Sequence, residues 1–86
     1  MASYDIEISR TAEEQLTKLP EKDQLRVVRA VVALTGEPRP RGSRKLAGYD
    51  DVFRIRVGHF RVLYSIAERR LVILVLKIGH RKDVYR

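Results

Sequence analysis

The chain has 86 residues, of which 44% are apolar, and it contains no cysteine. This length fits one domain spanning residues 1–86 with a thin core, and the lack of thiols excludes a disulfide framework or a thiolate metal site. The net charge of +7 is uneven: residues 1–37 carry five Lys/Arg against seven Asp/Glu, whereas residues 38–86 carry thirteen against four. A basic excess confined to one half is typical of a protein that binds a polyanion.

The N-terminal part predicts one strand and two helices. Apolar and polar residues alternate over 4–8, as in a strand with one buried face. Thr11 followed by Glu14 fits a capping box at the start of a short amphipathic helix. Pro20 suits the first position of a second helix, which Gly36 ends. The two helices are expected to form an α-hairpin that covers one side of a sheet.

The rest of the chain predicts a stiff basic loop at 38–45 and then three strands, which are Val52–Val57, Phe60–Ala67 and Leu71–Ile78. Because their connections are short, the three strands are expected to form an antiparallel meander. The third is apolar on both faces and is therefore expected to be central. The predicted fold is α+β with the order β-α-α-β-β-β, an antiparallel sheet with an α-hairpin packed on one face.

The turn between the first two of these strands predicts a cluster of arginines. Gly58-His59 suits a two-residue type II′ hairpin, which places Arg56 opposite Arg61 and puts Arg54 on the same face. Like charges opposite one another are destabilising, so three guanidiniums on one face indicate a bound anion such as phosphate. The alternative is an exposed sheet face that arginine merely keeps soluble.

The segment after the third strand is expected to complete this cluster. Arg81 and Tyr85 are placed to reach back over the arginine face, where a phenol or the imidazole of His80 can stack on bases or move protons. His59 is expected to be a solvent-exposed turn residue. Two histidines without paired carboxylates make no metal site, and the sequence holds no P-loop, dinucleotide-binding turn or Ser-His-Asp pattern. Any chemistry is therefore expected to be metal-free and cofactor-free work on a phosphodiester.

The segment F-R-I-R-V-G-H-F-R-V-L-Y at 53–64, followed by G-H-R-K-D-V-Y at 79–85, resembles the RelE branch of the RelE/ParE toxins. The motifs L-T-K-L-P at 16–20 and R-K-L at 44–46 extend the resemblance over nearly the whole chain. It implies a toxin of a type II toxin–antitoxin pair that cuts messenger RNA in the ribosomal A site without metal. In that reaction the ribose 2′-OH attacks the adjacent phosphate and leaves a cyclic phosphate and a free 5′-OH.

The same resemblance implies roles for individual residues. Arg61 would hold the scissile phosphate, Arg81 would neutralise the transition state, and Tyr85 would orient the substrate or help to transfer a proton. Arg54 and Arg56 stand where some family members carry lysines with acid–base roles. Since arginine does not readily release a proton, neither is a convincing general base.

His80 or Tyr85 is therefore the expected proton carrier. Further contacts to RNA are expected from other basic residues, which are Arg44, Lys45, Lys82 and Arg86. The expected partners are a cognate antitoxin and messenger RNA on the ribosome, with no membrane and no small-molecule cofactor.

Two other functions are compatible with the sequence. One is a ParE-like toxin that poisons DNA gyrase, and the other is a non-catalytic module that binds nucleic acid. The start of the chain lacks a signal-peptide pattern and no apolar stretch approaches the ~20 residues of a membrane span, which predicts a cytoplasmic location.

Overall fold

The computed structural model describes residues 3–80, and it confirms the α+β fold with one strand more than predicted. The elements in chain order are β1 (Asp5–Ile8), α1 (Arg10–Thr17), α2 (Glu21–Ala33), β2 (Arg44–Lys45), β3 (Val52–Val57), β4 (Phe60–Ala67) and β5 (Val72–His80). The five strands form one sheet in the order β1-β5-β4-β3-β2. Four predicted site residues lie outside the described part of the chain, namely Arg81, Lys82, Tyr85 and Arg86.

The first strand departs from the predicted antiparallel sheet. It pairs in parallel with β5, from Asp5 opposite Val72 to Ile8 opposite Val75. The other three pairings are antiparallel, so the meander is confirmed, but the sheet as a whole is mixed. Alternating residues show which side of a strand is buried and say nothing about its direction relative to a neighbour. The central position of β5 agrees with its two apolar faces.

Helix α1 begins earlier than the sequence pattern predicted. Its N-cap is Ser9, whose Oγ accepts a hydrogen bond of 3.0 Å from the Ala12 amide. The predicted capping box of Thr11 and Glu14 is therefore wrong, because both residues lie inside the helix. The extended end of β1 runs directly into Ser9, which leaves its hydroxyl placed for the cap. Pro20 is the N-cap of α2 and stands one position before its predicted place.

The two helices pack on one side of the sheet, which we call the helix face. The core between the layers combines Ala12, Val27, Val31 and Leu34 of the helical layer with Ile55, Val62, Tyr64, Ile66, Ile73, Val75 and Ile78 of the sheet. The apolar side of the predicted β3–β4 hairpin is thus the buried one. Since both helices occupy the same side, the residues that alternate with these face away from the helices.

Tyr64 ties the loop before β2 to the sheet. It is completely buried, and its hydroxyl donates a hydrogen bond of 2.7 Å to the carbonyl of Pro38. The neighbouring Arg39 forms an ion pair with Glu68. Burial raises the pKa of Tyr64, against smaller lowering effects from its hydrogen bond with Ser43 and the charge of Arg39. These contacts fix the path by which the loop enters β2.

Candidate nucleic-acid interface

The β3–β4 hairpin has the predicted register. Arg56 lies opposite Arg61 and Arg54 opposite Leu63, with Gly58 in the turn at a φ of 61°. A positive φ at the first turn position is the type II′ geometry that favours glycine. The pair next to the turn-closing pair is the close, non-hydrogen-bonded kind, with Cα atoms ~4.5 Å apart. The structure therefore brings the three predicted arginines together on the side of the sheet away from the helices.

Strand β2 adds a fourth arginine to this side. Arg44 is paired with Arg54, and Lys45 is paired with Phe53. Paired residues share a face, so Arg44 lies beside Arg54, whereas Lys45 shares the helix face with Phe53. The structure thus separates two neighbouring residues that the sequence had grouped as RNA contacts.

Strand β5 adds a lysine that the sequence reasoning missed. Lys77 lies opposite Leu63, and Gly79 lies opposite Arg61. Regular alternation along β5 would place Lys77 on the same side as the buried Val75, which is the helix face. A register shift between these two residues places Lys77 on the opposite side. The sequence contained one signal for this irregularity. Because burying a lysine without a partner is costly, a lysine at a position that alternation assigns to the core indicates that the alternation is broken. We call the resulting surface the cationic face, formed by Arg44, Arg54, Arg56, Arg61 and Lys77.

The cationic face consists of two rows that cross the sheet. One row contains Arg44, Arg54, Leu63 and Lys77, and the other contains Arg56, Arg61 and Gly79. Neighbouring strands are ~4.8 Å apart and alternate residues of one strand ~7 Å apart, so the backbone under these residues measures roughly 14 by 7 Å. This is a compact patch of five cations.

Burial differs between the members of the cationic face. Arg56 is exposed, whereas Arg54, Arg61 and Lys77 are half-buried, and the Nε atom of Arg61 is buried. Leu63 lies between Arg54 and Lys77 and is only 6% exposed, although α1 and α2 both pack on the other side of the sheet. The methylene stems of long basic neighbours cover apolar surface in this way. Arg61 is therefore the member whose position the surroundings restrict most.

Gly79 is the neighbour of Arg61 across the β4–β5 pairing. The two residues are directly opposite one another on β5 and β4, and Gly79 carries no side chain. No side chain of β5 therefore lies directly opposite Arg61 in this row.

The two histidines lie at the hairpin end but away from the arginines. His80 is paired with Phe60, which belongs to the helix face, and its ring meets the Phe60 ring edge-on at 6.0 Å between centroids. His59 lies exposed in the turn, as predicted, with its ring parallel to that of His80 at 6.5 Å. From this position His80 reaches the cationic face only around the rim of the sheet, and its proposed role as proton carrier stays a prediction.

Acidic residues occupy the far edge of the same side of the sheet. Glu7 of β1 is paired with Leu74, and its carboxylate lies 3.9 Å from Arg70. The surface is thus polarised from β1 to the hairpin. Within residues 3–80 there is no group of three or more His, Asp or Glu side chains that would hold a metal ion. The same part of the chain contains no helix long and apolar enough to cross a membrane.

The helix face carries a second surface feature, an apolar groove of ≈190 Å³ beside α2. It is lined only by apolar residues, which are Ile6, Ile8, Leu16, Val27, Val28, Val31, Val32, Val75 and Ile78. Val28 and Val32 are 43% and 56% exposed, and Leu25 on the same helix is 54% exposed. A continuous apolar strip of this kind on a small domain indicates a binding surface for another protein.

Comparison with known proteins places this architecture among toxins. Residues 6–85 match the family model described as the ParE toxin of the type II toxin–antitoxin system parDE. Toxin RelG of Mycobacterium tuberculosis is 36% identical over 87 residues, covering 96% of this chain and 97% of the relative.

Two solved structures show the same fold. The archaeal RelE–RelB complex of Pyrococcus horikoshii OT3 contains a chain that is 31% identical, with a TM-score of 0.83 over 95% of this chain and 99% of that chain. The RelBE2 toxin–antitoxin complex of Mycobacterium tuberculosis gives 29% identity and a TM-score of 0.82, over 93% of this chain and 100% of that chain.

Proposed function

Because this chain belongs to the ParE toxin family of type II toxin–antitoxin systems, within the RelE/ParE superfamily, we propose that it is an endoribonuclease that cleaves messenger RNA in the ribosomal A site. The observation that supports this proposal best is the cationic face. Five basic residues converge there from four strands, and two arginine pairs lie directly opposite one another. Such an arrangement costs folding free energy unless an anion occupies it.

The cationic face suits a single-stranded phosphate backbone. Guanidinium groups match phosphate oxygens bidentately and stay charged at every physiological pH. The patch of roughly 14 by 7 Å presents two rows rather than one deep pocket, which fits a chain of phosphates better than a small anion. Arg61 lies opposite Gly79, so no side chain of β5 competes directly with a phosphate for its guanidinium.

The proposed reaction needs charge stabilisation and two proton movements. The 2′-oxygen attacks phosphorus, the bond from phosphorus to the 5′-oxygen breaks, and the products are a 2′,3′-cyclic phosphate and a 5′-hydroxyl. Negative charge builds on the non-bridging oxygens, where Arg61 and its neighbour Arg56 are placed to stabilise it. We propose that Arg81, outside the described residues, adds charge at the leaving oxygen.

The proton of the 2′-hydroxyl must pass to a base, and another proton must reach the 5′-oxygen. Arg54, Arg56 and Arg61 are unsuited to the first task because a guanidinium keeps its proton. His80 and Tyr85 remain the proposed carriers, and the pairing of His80 with Phe60 on the helix face weighs in favour of Tyr85. Comparing the pH profiles of cleavage for His80→Ala and Tyr85→Phe would separate the two.

The proposal is tested by adding the purified toxin to translating ribosomes and mapping the message ends. Cuts within A-site codons, reduced about 100-fold in rate by Arg61→Ala, are the expected result. Intact message together with trapped gyrase–DNA complexes would overturn the proposal and support a gyrase poison. Salt-dependent RNA binding with no cleavage product would leave only a binding module.

Arg44 and Lys45 provide a matched comparison for the orientation of the surface. They are adjacent, both are exposed, and the register places them on opposite faces of the sheet. If the cationic face binds RNA, Arg44→Ala weakens RNA binding more than Lys45→Ala does. Equal losses from the two substitutions would show that the RNA is not confined to that face.

We further propose that the apolar groove binds an antitoxin. The two neighbouring toxin structures were solved as complexes with antitoxins. The groove is apolar throughout, and exposed Lys22 and Arg29 lie three positions before and four positions after Leu25 on the outer side of α2. An amphipathic helix with acidic residues beside its apolar stripe would satisfy both features. This partner would lie on the side of the sheet opposite to the proposed RNA.

A further inference from the structure

A β-bulge in β5 sets the direction of Lys77. Going along β5, Val75 pairs with Tyr64 and Lys77 pairs with Leu63, which leaves Leu76 as an extra residue with no partner on β4. A bulge of this kind reverses the alternation of side chains beyond it. The bulge therefore changes the side of the sheet on which each residue lies from Lys77 to the end of β5 at His80.

The reversal moves a charge out of the core and an apolar residue into it. Val75 lies on the helix face and is completely buried, so regular alternation would turn Lys77 into the same core. With the bulge, Ile78 takes the buried place at 1% exposure, and Lys77 lies on the cationic face with Leu63 and Gly79. The chain therefore keeps its core closed while presenting an ammonium group beside the arginines.

Two side chains from the helical layer hold the bulged backbone. Strand β1 ends at Ile8, so among the described residues its pairing with β5 stops at Val75. There the Ser9 hydroxyl donates to the Leu76 carbonyl at 2.8 Å, and Oε1 of Gln15 accepts from the Ile78 amide at 2.7 Å. These contacts replace the hydrogen bonds that a longer β1 would supply.

From this geometry we infer that Lys77 is a further RNA contact and that Gln15 is a positioning residue for it. Lys77 ends the row that starts at Arg44 and crosses Arg54, and it lies two positions before Gly79, the residue opposite Arg61. A flexible four-carbon stem with a compact charge suits the neutralisation of a phosphate next to the one at Arg61. The inference rests on the proposed function, since RNA is the ligand.

The test measures the affinity of the full-length toxin for a single-stranded oligoribonucleotide over a range of salt concentrations. Riboses carrying 2′-O-methyl groups prevent cleavage during the measurement. Each neutralised phosphate contributes about −0.7 to the slope of log K against log [salt]. Lys77→Met is expected to reduce the slope by about this amount, and Lys77→Arg to retain it. Lys18→Met, at the exposed C-terminal end of α1, is the matched control that leaves the slope unchanged.

The outcomes separate the inference from the proposed function. If the parent toxin binds with a steep salt slope and Lys77→Met has the same slope, Lys77 is not an RNA contact. If the parent itself shows no salt-dependent binding, the proposed function fails first. Thermal unfolding followed by circular dichroism confirms that each variant is folded at the temperature of measurement.

The positioning role is tested by a double-mutant cycle. Gln15→Leu removes the acceptor for the Ile78 amide and is expected to weaken RNA binding only through Lys77. In the Lys77→Met background the same substitution should then have no further effect on the affinity or the slope. Additive losses in the double variant would overturn the positioning role of Gln15 while leaving the contact by Lys77 to its own test.

Discussion

Replacing Arg56 by glutamine should make the protein more stable and weaken its binding to RNA. Arg56 and Arg61 are paired across the hairpin, and their Cα atoms are ~4.5 Å apart. If the guanidiniums spread to ~7 Å, their repulsion is about 0.6 kcal/mol at the dielectric constant of water and about 2.4 kcal/mol at an effective value of 20. Arg56 is exposed and Arg61 half-buried, so we expect a value of about 1 kcal/mol.

For a domain of 86 residues, about 1 kcal/mol corresponds to a rise in Tm of roughly 4–8 °C. The rise should be largest at low ionic strength and should nearly vanish in ~1 M salt, where the Debye length falls to ~3 Å. RNA affinity at low salt should fall about tenfold, because one charge-assisted contact is lost. The measurements are thermal unfolding by circular dichroism at both salt concentrations, and binding of the 2′-O-methyl oligonucleotide.

Arg69→Gln, an equal change of charge in the exposed turn between β4 and β5, is the matched control and should alter Tm by much less. A lower Tm for Arg56→Gln, or a rise of equal size at both salt concentrations, would refute the argument that the cationic face stores repulsion. Unchanged RNA affinity would separately show that Arg56 is not a contact.

Three other changes test particular contacts. Ser9→Ala should reduce the free energy of unfolding by about 1–3 kcal/mol, and so lower Tm, because its hydroxyl both caps α1 and bonds the bulged backbone. Thr11→Ala should be nearly neutral in the same unfolding assay. Equal losses from the two substitutions would favour the capping box. Burial raises the pKa of Tyr64 above its unfolded value of ~10, so the free energy of unfolding should fall as pH rises from ~10 upward. In pH-dependent unfolding, Tyr64→Phe should lose less of this free energy over the same alkaline range. Val32→Glu, in the apolar groove, should abolish capture by the co-encoded antitoxin and leave RNA binding unchanged; retained capture would place the antitoxin elsewhere.

Local patterns in the sequence determined the hairpin at the centre of the proposed site. A two-residue turn permits only one register for the strands that flank it, so Gly58-His59 alone placed Arg56 opposite Arg61. Alternation then separated the apolar side from the basic side. The resemblance to RelE toxins rested on these same residues, and the family match over residues 6–85 supports it.

Only the tertiary structure decided how the remaining parts meet this hairpin. The parallel pairing of β1 with β5 joins distant segments, and the pairing of Arg44 with Arg54 closes the loop between β2 and β3; no local pattern encodes either. The bulge that brings Lys77 to the cationic face is held by Ser9 and Gln15, which lie 67 and 63 positions away from their partners in the chain. Periodicity reports the conformation of one segment, whereas these features depend on hydrogen bonds that exist only after the helical layer has packed against the sheet.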